Sequence, residues 1–112
     1  MTICKIKADE LSMILDNHAI WLKDKTKGAQ ANLTNANLAE VILKNANLTN
    51  ANLTGVKLTE ANLTGVNLTN ANLTKANLTK ADITKADLAG ANLTKANLSG
   101  VSLTNENITG LT

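Results

Sequence analysis

At 112 residues, with a formal charge of +2, one Trp and neither Tyr nor Phe, the chain is one domain whose interior is filled almost without aromatics. That charge and the lack of stacking side chains argue against nucleic-acid binding, and no stretch approaches membrane-spanning length. A lone Cys4 excludes an internal disulfide, and a single His18 without paired Cys leaves metal or cofactor chemistry without ligands.

Residues 2–6, Thr-Ile-Cys-Lys-Ile, are short and β-prone, which predicts a strand over the end of whatever follows. A helix is predicted over about residues 9–24, with Asp9 as N-cap and Glu10 in the first turn. Leu11, Ile14, Leu15, His18, Ala19, Trp21 and Leu22 share one stripe of it. Lys23, Lys25 and Lys27 suit the negative helix end, and Gly28 can terminate it. Residues 1–30 therefore read as a capping segment, with His18 packed inside it and Trp21, beside Leu22, as the plug. Met13 and Ile20 lie on the opposite side of the helix. Either residues 2–6 or the adjoining loop cover them, or they form a small partner-binding patch. The start, residues 1–15, is too polar for the apolar part of a signal peptide.

From residue 31 to 110 the chain is sixteen five-residue units without an insertion, beginning Ala31-Asn32-Leu33-Thr34-Asn35. Leu or Ile holds every third place, and Ala or Val every first place except at Glu106. A helix turning about 100° per residue would scatter such leucines round its surface. A continuous strand would send successive leucines to opposite faces. The backbone must therefore turn once per unit, with side chains running in, out, in, out, out. The two adjacent outward residues make the corner, where Gly55, Gly65, Gly90, Gly100 and Gly110 tolerate a positive φ. Fixed short periods mark solenoids.

The A-(N/D)-L-x-x unit, over roughly 70% of the chain, resembles the pentapeptide-repeat family. The resemblance implies an all-β solenoid over residues 31–112, a right-handed quadrilateral β-helix. Its four coils would start at 31, 51, 71 and 91. Leu33, Leu53, Leu73 and Leu93 would belong to its core. The Leu-rich N-terminal helix also looks like the extension of some cyanobacterial members. A first coil has an unpaired edge, which is the physical reason for such a cap.

Departures within the repeats are few. Ile42, Lys57 and Ser102 replace the outward Asn, and Ile42, the one bulky apolar residue outside, is expected to pack on the N-terminal segment. Glu40, Glu60 and Lys80 fall in one column, and Lys75 and Lys95 in another; solvated corner lysines are the plainer reading of the latter pair. Glu106 either marks a solvent-facing rim or bonds free backbone N–H groups there. An open end beside it invites an end-to-end homodimer. The Asn-Leu-Thr, Asn-Leu-Ser and Asn-Ile-Thr triplets would be glycosylated on a eukaryotic secretory route, so the chain is expected to be cytoplasmic and bacterial.

With no Gly-rich phosphate loop and no loop long enough to shape a pocket, the chain is not expected to be an enzyme. The expected role is protein interaction or structure, with an unidentified protein partner and no membrane. Family members that protect DNA gyrase and topoisomerase from quinolones present a strongly acidic, DNA-like rod; this chain departs from them in charge, and gyrase modulation is the alternative. A second alternative is the ordering of water or ice by the repetitive face of Asn32, Thr34, Asn52, Thr54, Asn72, Thr74, Asn92 and Thr94. Ladders of Asn stabilising the stack explain that face without any ligand.

Overall fold

The computed structural model describes residues 6–101. The one helix among the described residues, α1 (Ala8–Lys23), begins a residue earlier than the sequence suggests. Lys7 is the N-cap and offers no side-chain bond, so Asp9 is not the cap; it sits with Glu10 in the first turn, where a carboxylate favours the helix dipole. The Asp24 N–H bonds the Ile20 carbonyl as the helix ends, and Asp24 Oδ1 then accepts the Thr26 N–H at 3.0 Å and its hydroxyl at 2.7 Å. Gly28, at φ 65°, returns the chain against the helix, where a Cβ would lie 2.4 Å from the Asn17 carbonyl oxygen. The Ala29 N–H bonds that same oxygen at 3.2 Å.

Beyond the helix, isolated parallel bridges join residues twenty apart, from Asn32 with Asn52 to Asn77 with Asn97. Each twenty-residue coil therefore lies directly on the one before. Within a coil the backbone turns every fifth residue: the Ala36 N–H bonds the Leu33 carbonyl at 3.0 Å, and Asn35 between them has φ 59°. A positive φ confined to the third residue of such a four-residue turn is the type II pattern. Among the described residues ten corner residues other than Gly adopt it, including Glu40, Glu60, Lys75, Lys80, Lys85 and Lys95. Asn tolerates this conformation; Glu and Lys gain nothing local from it.

Between coils the units repeat the same backbone bonds wherever a neighbouring coil is present. The Leu53 N–H reaches the Asn72 carbonyl at 2.7 Å, the Gly55 N–H reaches the Thr74 carbonyl at 2.8 Å, and the Asn52 N–H reaches back to the Ala31 carbonyl at 2.9 Å. The first and third residues of each unit point inward. Leu33, Leu53 and Leu73 are buried with Ala51, Val56 and Ala61 between them, while Leu93, in the last described coil, is partly buried. This in, out, in, out, out order is the one expected.

Outside the core the expected Asn ladders are not what the side chains do. In each described unit with Asn or Asp second, Oδ1 accepts the N–H two residues on, as Asn52 does from Thr54 at 3.2 Å and Asn72 from Thr74 at 3.0 Å. Most of the threonine hydroxyls donate to the same oxygen, as at Thr34, Thr74 and Thr94, each 2.6 Å from its Asn. The amide braces its own corner rather than the next coil, which is an Asx turn joined to a type II turn.

Candidate interaction site at the first coil

A first coil has no predecessor to supply donors to its edge. In later coils the second-place carbonyl receives a leucine N–H and the fourth-place carbonyl a corner N–H, both from the coil before. On the first coil the N-terminal segment supplies substitutes. The Ile6 N–H bonds the Asn37 carbonyl at 3.2 Å, and the His18 side chain bonds the Thr49 carbonyl at 2.8 Å. The other ring nitrogen of His18 accepts the Ala31 N–H at 2.8 Å. Since a backbone N–H can only donate, Nδ1 is the acceptor and the ring proton sits on Nε2. His18 is thus a neutral imidazole standing in for a missing rung.

The ring is fully buried, at 0% exposure. Burial, the largest effect, holds His18 below its ordinary pKa; the bond to Thr49 works the other way, and Lys25 adds a further lowering. Trp21 stacks on the ring with centroids 5.5 Å apart, and Lys25 Nζ lies 4.0 Å from the centre of the indole. Trp21 and Leu22 are only half-buried, so Trp21 is not the plug. Leu11 and His18 are the buried residues of α1. The indole is displaced because the smaller imidazole is the group able to satisfy both an N–H and a carbonyl.

Beside this contact the edge is open. Ile42 replaces an outward Asn and, against expectation, is 74% exposed rather than packed away. Among the described residues neither its N–H nor its carbonyl is bonded, because both point to the side where a preceding coil would lie. A mostly apolar groove of about 510 Å³ runs from Ile42 past Leu38, Val41 and Leu43 to Ile6, Leu11 and Leu15 of the N-terminal segment. Met13 at 64% and Ile20 at 46% exposure are likewise left open, although Ile20 borders Gly28. They do not line this groove. Cys4 and Glu106 lie outside the described residues, as do residues 2–5 of the strand expected over residues 2–6; Ile6 is described and is not in a strand. Among the described residues no three His, Cys, Asp or Glu side chains gather to hold a metal ion, and no helix is long and apolar enough to cross a membrane.

Stacked five-residue turns with a helix on the first edge define a repeat protein. The model for pentapeptide repeats (8 copies) matches residues 31–70 and 71–110, and the chain belongs to that family. A search of curated proteins gives no match. Among solved structures it is similar to HetL, a pentapeptide repeat protein involved in heterocyst differentiation regulation in the cyanobacterium Nostoc sp. strain PCC 7120. The identity is 39% over 64% of this chain and 36% of HetL, with a TM-score of 0.36. It is 25% identical to alr5209, a pentapeptide repeat protein from Nostoc PCC 7120, over 99% of this chain and 98% of that one, with a TM-score of 0.49. QnrB1, a plasmid-mediated fluoroquinolone resistance protein, is 27% identical over 66% of this chain and 38% of its own length, at a TM-score of 0.38. The chain thus spans about a third of HetL and of QnrB1. Membership rests on the repeats rather than on these superpositions.

Proposed function

We propose that the chain is a non-catalytic interaction module, built as a right-handed quadrilateral β-helix of four coils, which holds a protein partner at the groove beside Ile42. The observation that carries this reading is Ile42 itself. It gives up the corner-bracing Asn, stands 74% exposed on an unpaired edge, and is continuous with an apolar groove of about 510 Å³. An exposed edge with apolar side chains beside it suits an extended segment of another chain, whose backbone pairs while its side chains enter the groove. Gyrase modulation by acidic mimicry is less well supported, since Lys75, Lys80, Lys85 and Lys95 occupy corners of the later coils.

Affinity capture from extracts of the native host tests the assignment with three proteins: the unaltered chain, Ile42→Asp, and Met13→Asp/Ile20→Asp. A partner retained by the first and third and lost by the second is the expected result. A partner retained by Ile42→Asp and lost from the double variant moves the site to the outer face of α1 and contradicts the groove.

A further inference from the structure

The contact between α1 and the first coil depends on a group able to change its protonation state. Both nitrogens of His18 are committed, Nδ1 to the Ala31 N–H and Nε2 to the Thr49 carbonyl, each at 2.8 Å. A proton arriving at Nδ1 turns that acceptor into a donor and points it at another donor. The Ala31 N–H is then left unpaired, which burial makes costly. We propose that α1 is a proton-released latch: protonation of His18 breaks its bond to Ala31, frees the helix from the first coil and uncovers the coil edge at Ala31 and Thr49.

The surroundings favour release rather than accommodation of the charge. From the first coil the ring meets the uncharged backbone of Ala31 and Thr49; from its own helix it meets Trp21. Among the described residues the charged group acting on it is Lys25, from the turn after α1, and that charge repels an imidazolium. No carboxylate is among the groups acting on the ring. Glu10, Asp16 and Asp24, the nearest acids in sequence from α1 and its exit turn, do not contribute. The other hydrogen bonds from the N-terminal segment to the first coil, from the Ile6 N–H to the Asn37 carbonyl and from Gln30 Nε2 to the Asn50 carbonyl, contain no titrating group. Opening is therefore coupled to one proton, and its equilibrium steepens by at most about tenfold per pH unit below neutrality.

The test uses the full chain in solution. Long-range proton–nitrogen NMR correlations at about pH 7.5 report the tautomer, and amide exchange at Ala31 and Leu73, corrected for intrinsic rates, is followed down to about pH 5. The latch gives an Nε2–H tautomer, an Ala31 protection that falls up to about tenfold per pH unit, and an unchanged Leu73. In His18→Gln the Ala31 profile flattens. An Nδ1–H tautomer overturns the proposal, as does Ala31 protection that is flat with pH in the unaltered chain or falls only in parallel with Leu73. If His18→Gln does not fold, the tautomer and the Ala31-to-Leu73 ratio in the unaltered chain decide the matter.

Discussion

Lys57 stands two residues before Thr59, in the place where neighbouring units carry the Asn that braces the corner, and the Thr59 hydroxyl is buried without a hydrogen-bond partner. Thr54, one unit earlier, gives its hydroxyl to Asn52 at 2.8 Å. A lysine has no acceptor, so the substitution removes the oxygen to which both the Thr59 N–H and hydroxyl would turn. An unsatisfied buried hydroxyl costs about 1–3 kcal/mol.

Lys57→Asn restores the missing acceptor and is expected to stabilise the chain by about 1 kcal/mol, raising Tm by about 4–8 °C. Thr59→Val is expected to be neutral or stabilising because it removes the orphan, whereas Thr54→Val, which breaks a bond, destabilises. Thermal unfolding followed by circular dichroism ranks the three. A Thr59→Val variant as damaging as Thr54→Val would show that the Thr59 hydroxyl has a partner after all.

Asn35 and Gly55 form a second interlocked pair, one coil apart. A Cβ on Gly55 would lie 2.2 Å from Asn35 Oδ1, and Gly55 has φ 68°. Gly65 meets Asn45, and Gly90 meets Asn70, in the same way. Gly55→Ala is therefore expected to cost about 1–3 kcal/mol, part from the backbone and part from the clash. In an Asn35→Gly background the second part disappears. A double-mutant cycle by denaturant unfolding should give a coupling of about 0.5 kcal/mol or more, and additivity would contradict the clash.

Acid should weaken the fold in two stages. His18 has a folded pKa below the ordinary 6.5, so on acidification the unfolded chain takes its proton first. Its contribution is complete above about pH 6.5 and shrinks below that value. Asp82 lies below its ordinary 3.8, chiefly through the Thr84 hydroxyl bond and then the Thr84 N–H. Its contribution is present above about 3.8 and is lost as pH falls through the folded value. A Tm profile from pH 8 to 3, with and without His18→Gln, should lose only the first stage in the variant.

Ile42→Asn places a corner-bracing amide where an exposed aliphatic stands. It is expected to leave stability unchanged or raise it by up to about 1 kcal/mol, since little buried contact is lost. By contrast Leu63→Ala, in the filled core, is expected to cost about 2–5 kcal/mol. A stable Ile42→Asn protein that no longer captures its partner would mark Ile42 as kept for recognition rather than for folding.

Much of this architecture was legible from spacing. A five-residue period is incompatible with both helix and flat strand, so the turn per unit and the inward pair follow from side-chain geometry. The helix likewise follows from Leu11, Ile14, Leu15 and His18. What spacing cannot rank is which residue of an apolar stripe reaches deepest. Trp21 offered the larger area, yet His18 took the buried position because the coil edge presents a donor and an acceptor together. A column of Asn residues on the outer face suggests a ladder between coils; their bonds are local because Oδ1 reaches the N–H two residues on within the same turn. Ile42 stays exposed because its unit is on the coil edge and its side chain points outward, a fact of position around the coil that a linear pattern does not carry.

Residues twenty apart are neighbours on successive coils, as Lys57 and Asn77 are. Adjacent rungs about 4.8 Å apart fall within the span a disulfide bridges, about 4.4–6.8 Å between Cα atoms. With Cys4→Ser removing the native thiol, Lys57→Cys/Asn77→Cys should close an intramolecular disulfide under mild oxidation, while Lys57→Cys/Asn67→Cys, two units apart on one coil, should remain reduced. Closure of the second pair with the first left open, read by mass spectrometry on folded protein, would contradict the stacking and everything built on it.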